Sequence, residues 1–179
     1  MMNEIKLNLG CGDKKISGFI NVDIRESVQP DIVDDIILNK IENCSVDLIY
    51  ASHVLEHTKR SEILKVLSRW YEILKPGGIV RLAVPDFESV VKMYLKGTPI
   101  NNLIGFLYGG QNHDYNFHYY CWDFNSLKKD LEEVGFIHVC RFDWRITEHG
   151  HIDDYSQSYL PHMDKENGQL MSLNVEGTK

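Results

Sequence analysis

The chain has 179 residues, with 26 acidic against 19 basic side chains, a formal net charge of −7 and 43% apolar residues. That balance fits one soluble domain over residues 1–179, long enough to bury roughly two-thirds of its unfolded surface, and argues against a nucleic-acid partner, which a basic face usually marks. No apolar run nears the roughly 18 to 20 residues that cross a bilayer, no signal-peptide core is visible, and Cys11, Cys44, Cys121 and Cys140 form no Cys-x-x-Cys pair, so a cytoplasmic protein without disulfides or structural zinc is expected.

Apolar runs and punctuation then alternate along the chain. Ile5 to Leu9 reads as a strand that runs into Gly10-Cys11-Gly12, Phe19 to Asp23 as a second strand closed by a carboxylate, and Asp31 to Val33 as a short third. Val46 to Ser52 is a fourth. From Ser61 to Lys75 the period changes: Ile63, Leu67, Trp70 and Leu74 recur at helical spacing, and Pro76-Gly77-Gly78 is expected to end that helix with a glycine cap. Ile79 to Val84 is a fifth strand, after which Asp86 caps a helix reaching Leu95. Residues 97–122 are rich in glycine, asparagine and aromatics without a clear period. Asp123 or Asn125 opens a helix through Leu127 and Leu131 that stops at Gly135, and Phe136 to Phe142 and Leu170 to Val175 complete seven strands.

Alternation of this kind predicts a doubly wound α/β sheet. Residues 10–18 and 24–30 are too short to carry crossover helices, since a parallel connection usually needs a dozen residues or more. The first helices should therefore be reduced, leaving one sheet face thinly covered with room for a second copy in a homodimer. The connection of residues 143–169 is long, and long connections are often functional.

A buried strand ending in glycines lets a ligand approach the backbone, and an acid closing the next strand can accept from both hydroxyls of a ribose. The third glycine of a dinucleotide fingerprint is missing, however, and Asp23 comes 13 residues after Gly10 rather than about 20. A nucleoside cofactor without phosphates fits better.

Leu7-Asn8-Leu9-Gly10-Cys11-Gly12, Val22-Asp23, Asp35-Ile36, the block Asp47 to His57 and Leu74-Lys75-Pro76-Gly77-Gly78 resemble, in order, the motifs of class I S-adenosylmethionine-dependent methyltransferases. The likeness is to the small bacterial group near the methyltransferase type 11 domain, often associated with surface-glycan biosynthesis. The resemblance implies a Rossmann-like sheet of about seven strands, the last antiparallel. It implies S-adenosyl-L-methionine as cofactor, with S-adenosyl-L-homocysteine as product. Leu9, Gly10, Cys11 and Gly12 would lie along the methionine part, Asp23 and Ile24 at the ribose, Asp35 and Ile36 at the adenine, and Ser52 and His53 beside the sulfonium and the incoming acceptor.

A hydroxyl acceptor benefits from a general base, usually histidine. His53, in His53-Val54-Leu55-Glu56-His57, and His113 and His118, in the stretch Gly109 to Tyr120, are the candidates; His57 reads as structural. Aromatic rings among amides and hydroxyls in that stretch suit a sugar, so the expected reaction is O-methylation of a sugar, nucleotide-sugar or glycan precursor. The alternatives are N- or C-methylation of a small metabolite, or a catalytically silent cofactor-binding partner subunit. Tyr155, Tyr159 and His162 are candidates for a further wall of the acceptor pocket. His149-Gly150-His151-Ile152-Asp153-Asp154 reads as a surface loop, and no metal site is expected.

Overall fold

The computed structural model describes residues 4–179. Nine strands, β1 (Lys6–Leu9), β2 (Ile20–Asp23), β3 (Ile32–Val33), β4 (Val46–Ser52), β5 (Leu74–Pro85), β6 (Ile137–Arg141), β7 (Tyr159–Leu160), β8 (Gln169–Leu170) and β9 (Ser172–Thr178), alternate with the helices α1 (Ile63–Ile73), α2 (Phe87–Leu95), α3 (Ile104–Tyr108) and α4 (Phe124–Glu133). Seven strands make one sheet in the order β3-β2-β1-β4-β5-β9-β6, and β7 and β8 pair as a small separate ribbon. The pairs from β3 to β5 are parallel, whereas β9 runs antiparallel to both its neighbours. This is the expected α/β sheet with its last strand reversed.

One face packs against α1 and α4. Ile63, Val66, Leu67, Trp70 and Ile73 form the buried stripe of α1, and they meet Leu7, Leu9, Ile49, Val80 and Leu82 of the sheet and Leu127 and Leu131 of α4. Asp86 and Asp123 cap their helices through side-chain bonds to Glu88 N–H and Ser126 N–H, as their positions predict. The end of α1 differs from expectation. The helix stops at Ile73, and Leu74 already pairs with Val46 as the first residue of β5. Pro76-Gly77-Gly78 forms a kink inside that strand, with Gly77 at φ +80°, instead of a helix cap. Leu74 is apolar in both readings, so periodicity cannot separate them.

The short links do lack α-helices: residues 10–19 are turn and extended loop, and residues 24–31 contain only a 3-10 turn at Glu26–Val28. Buried amides do the anchoring instead. Asn8 Nδ2 donates to Lys14 O and to Asn21 Oδ1, both at 3.0 Å, and Asn21 Oδ1 also accepts from Ile16 N–H at 2.8 Å. The face that these links leave open is not bare, which corrects the expected thin cover. Residues 142–157 lie across it, joining Phe142 and Ile152 to Ile16, Phe19, Leu48 and Tyr50.

His149 is the key of that cover, and it is not a surface residue. Its ring stacks on Tyr50 at 3.9 Å between centroids and meets Phe19 edge-on, while Tyr50 Oη donates to Asp154 Oδ2 at 2.7 Å. Arg81 Nη1 lies 3.3 Å from His149 Nε2. Burial, reinforced by the Arg81 cation, pushes His149 down from 6.5 to about 4. The unfolded chain therefore binds this proton before the folded one does. Stability on the order of 3 kcal/mol, present above pH 6.5, should be lost as pH falls toward 4. Urea unfolding across that range should show the loss, and His149→Phe, which keeps the ring but cannot titrate, should flatten it.

Candidate functional site

At the carboxyl ends of β1, β2 and β4 the chain encloses a cleft of about 730 Å³. Its floor is the turn after β1. Gly10 and Gly12 adopt φ of +57° and +50°, and a Cβ on Gly10 would stand 2.5 Å from Val54 Cγ2. Cys11 N–H donates to Val22 O at 3.0 Å, and Gly12 N–H donates to Asp23 Oδ2 at 2.8 Å, so the turn is tied to the end of β2. The Cys11 thiol, pushed up to about 11 by burial and then by the Asp23 charge, stays protonated at neutral pH and fills space.

Asp23 is buried. Its Oδ1 accepts from Arg25 N–H at 2.9 Å and Arg25 Nε at 3.1 Å, and its Oδ2 faces Arg25 Nη2 at 3.3 Å. Burial alone would raise its pKa, but the Arg25 and Gly12 donors outweigh it and hold the carboxyl below the usual range. Arg25, which also lines the cleft, escaped the sequence reading because only the fold turns its side chain back onto Asp23.

The second wall is residues 34–37, where Ile24, Asp35 and Ile36 line the cleft with Asp34 and Ile37. Asp35 Oδ1 accepts from Ile37 N–H at 2.9 Å, whereas Asp34 Oδ2 is buried without a partner. The loop is held by α1: Trp70 Nε1 donates to Ile36 O at 2.7 Å and Arg69 Nη2 to Leu38 O at 3.1 Å.

Ser52, His53 and Val54 form the roof. Ser52 Oγ is buried and unpartnered. His53 sits at φ +54°, a left-handed conformation that costs a residue with a Cβ free energy. Its Nδ1 is 3.2 Å from Glu56 Oε1, and its Nε2 is 3.2 Å from Ser172 Oγ. Ser172 Oγ in turn reaches Asn174 Oδ1 at 2.9 Å, and Asn174 Nδ2 donates to Ser156 O. The one Ser172 hydroxyl hydrogen can point at either neighbour.

The segment of residues 97–122 brings His113, Asp114, Tyr115, Asn116, Phe117 and Tyr119 to the same cleft, and Tyr155 enters from the long connection, its ring 5.4 Å from that of His53. His113 Nδ1 accepts from Tyr115 N–H at 3.3 Å, which leaves its other nitrogen as a donor. His118 does not line this cleft. It borders a shallow depression with Phe87, Leu107 and Tyr120, and burial lowers its pKa. His57, read as structural, does reach the cleft. Tyr159 is buried away from it, its hydroxyl accepting from Arg145 Nη2 at 3.0 Å, and His162 is not among the lining residues.

Residues 23–82 match the family of methyltransferase domains. No curated protein matches the chain. Among solved structures, the fold is similar to that of an S-adenosylmethionine-dependent methyltransferase from Archaeoglobus fulgidus. There the TM-score is 0.60 at 17% identity, over 98% of this chain and 86% of that one. A second, from Mesorhizobium loti, gives 0.58 at 18% identity over 99% and 91%. A third is the methyltransferase in complex with the Haloferax volcanii Trm112 activator, at 0.60 and 15% identity over 98% and 82%. The fold is thus similar to that of S-adenosylmethionine-dependent methyltransferases, and the stretch from the end of β2 into β5 is the part that matches the methyltransferase-domain family.

The glycine turn yields a direct test. Gly18 has φ +82° and open space around it, whereas Gly10 combines positive φ with the Val54 contact. Gly18→Ala is expected to cost about 1 kcal/mol in urea unfolding and Gly10→Ala about 2–3 kcal/mol, the difference reporting the clash with Val54.

Proposed function

We propose that the acceptor of this S-adenosylmethionine-dependent methyltransferase is a hydroxyl on a sugar, nucleotide-sugar or glycan precursor. The observation that carries the reading is continuity: the glycine turn with Asp23 and the amide- and aromatic-rich stretch from His113 to Tyr119 line one cleft. The residues fit the cofactor. Two glycines without Cβ leave the backbone open, Asp23 offers a buried carboxylate, and the volume lies within the range of small-molecule sites. Gly10, Cys11 and Gly12 would hold the methionine part and Asp23 the ribose hydroxyls, with Arg25 giving up part of its pairing. Asp35, Ile36 and the unpartnered Asp34 Oδ2 would meet the adenine.

When bound, the cofactor supplies an electrophilic methyl group that is displaced in line, so alignment of acceptor and donor contributes much of the rate. The chain supplies that alignment and a proton acceptor. Tyr115, Asn116 and Tyr119 would hold a sugar by its faces and edges, and Tyr155 would screen the junction from water. The Glu56 carboxylate, 3.2 Å from Nδ1, would stabilise a protonated His53 ring by its charge, and an acceptor hydroxyl would pass its proton to Nε2 by way of the Ser172 hydroxyl beside it. Ser172 would act as the relay: its hydrogen passes to Nε2 as the acceptor's proton arrives on Oγ, and the renewed hydroxyl turns to Asn174 Oδ1 while accepting from Nε2–H. His113 would then serve as a hydrogen-bond donor to the acceptor.

Calorimetry should find S-adenosylmethionine and S-adenosylhomocysteine bound, with NAD bound weakly or not at all. Asp23→Asn should weaken both sulfur nucleosides at least about tenfold, since it removes a charged acceptor of hydrogen bonds. Tighter binding of NAD than of either would overturn the reading.

Radiolabelled methyl transfer to a panel of monosaccharides and nucleotide sugars tests the acceptor. His53→Ala should lower turnover by about 10² to 10⁴ with cofactor affinity unchanged. Transfer only to amines, indifferent to His53, would replace the hydroxyl assignment, and absence of S-adenosylhomocysteine product with every acceptor would leave a binding subunit.

A further inference from the structure

Glu56 poses a problem of burial that methyl transfer does not resolve. Its side chain is 0% exposed, and neither carboxylate oxygen has a hydrogen-bond partner. The His53 contact at 3.2 Å is too poorly directed to satisfy one. An ionised carboxylate withdrawn from water without partners is strongly disfavoured, so something must face it.

Two histidines do. One ring nitrogen each from His57 and His118 and a Glu56 oxygen lie within 4.8 Å of one another, and the two rings meet at 4.9 Å between centroids. Both rings are oriented by main-chain carbonyls: His57 Nδ1 donates to Phe117 O at 3.0 Å, and His118 Nδ1 donates to Phe106 O at 3.1 Å. A carbonyl only accepts, so each Nδ1 carries the hydrogen and each neutral ring is left with a lone pair on Nε2. Lone pairs on two histidines beside an unsatisfied carboxylate repel one another unless a cation stands between them. Carbonyl-anchored Nδ1–H groups are also the usual outer support of histidine ligands.

We propose that Glu56, His57 and His118 bind a first-row divalent metal ion of the zinc type. Two imidazoles and one carboxylate are a recurrent donor set for such ions, with a further position left to water. Tetrahedral ligands at 2.0–2.2 Å stand about 3.3 Å apart, so with every separation within 4.8 Å the three groups need close by no more than about 1.5 Å. His53 Nδ1 then supports the second Glu56 oxygen. The ion is a clamp rather than a reagent. Tyr119 N–H already donates to Glu56 O at 2.8 Å, and the metal would fasten the segment of residues 106–119 to the exit of β4. The sequence hides the site because His118 lies 62 positions from Glu56.

The test uses the chelator-treated protein and metal alone. Zn²⁺ titration should give saturable binding at one ion per chain, and Co²⁺ should produce the intense visible bands of a four-coordinate site. His118→Ala and Glu56→Gln should each weaken Zn²⁺ binding at least about 100-fold, while His138→Ala, on the exposed β6, should not. Hydrogen exchange in residues 106–119 should slow on Zn²⁺ addition. Circular dichroism checks that each variant folds, and His57→Ala, at a less buried position, serves if Glu56→Gln does not. Absence of saturable binding, or equal binding by folded His118→Ala, overturns the proposal. So does ¹⁵N spectroscopy of the metal-free protein showing both rings doubly protonated at neutral pH, because two imidazolium donors would satisfy Glu56 without an ion.

Discussion

A parallel pair of strands joined by ten residues cannot hide its connection in a helix, and that constraint shapes the rest of the molecule. Between Leu9 and Ile20 the chain must turn, cross the sheet edge and return. It does so on positive φ at Gly10, Gly12 and Gly18, with the buried Asn8 and Asn21 amides holding the path that a helix would otherwise hold. The face left open is closed by residues far along the chain, where His149 stacks on Tyr50. The same tight turn presents main-chain groups, free of Cβ atoms, to the cleft.

The cleft shows how a charged site is kept soluble in its own protein. Asp23 is satisfied by Arg25 and by Gly12 N–H, so a ligand exchanges with an existing partner and does not meet a bare carboxylate. Ser52 Oγ and Asp34 Oδ2 are buried without partners, the pattern of groups whose hydrogen bonds come from outside the chain. His53 couples the two halves. Its strained backbone places the ring between Glu56 and Ser172, and the positive φ marks a position where placement of the side chain outweighs local comfort.

Much of this was legible in the residues. Val46 to Ser52 reads as a strand with the observed bounds, because a run of apolar and β-branched residues between polar turns has no competing interpretation. Asp86 and Asp123 announce their helices by capping chemistry. Gly10, Gly12 and Asp23 converge as their spacing implied. What escaped depends on contacts between distant positions. Arg25 folds back on Asp23, His149 is drawn under by Tyr50 and Phe19, and His118 turns behind the cleft toward Glu56. No local period records such meetings. Leu74 was misplaced for a different reason, since helix and strand both bury it.

The position of β9 has a consequence for how the molecule assembles. This strand follows β6 in the chain yet lies between β5 and β6, and β6 pairs with β9 alone. During synthesis, β5 therefore waits with an unpaired edge, and β6 has nothing to pair with, until residues 172–178 leave the ribosome. The cover over Tyr50 arrives almost as late. Closure of the sheet is a long-range event that gives slow folding and a period of exposed strand edge. The half of the protein that carries the glycine turn is made first, and the sheet beside it is completed only when the last strand slides into its slot between β5 and β6.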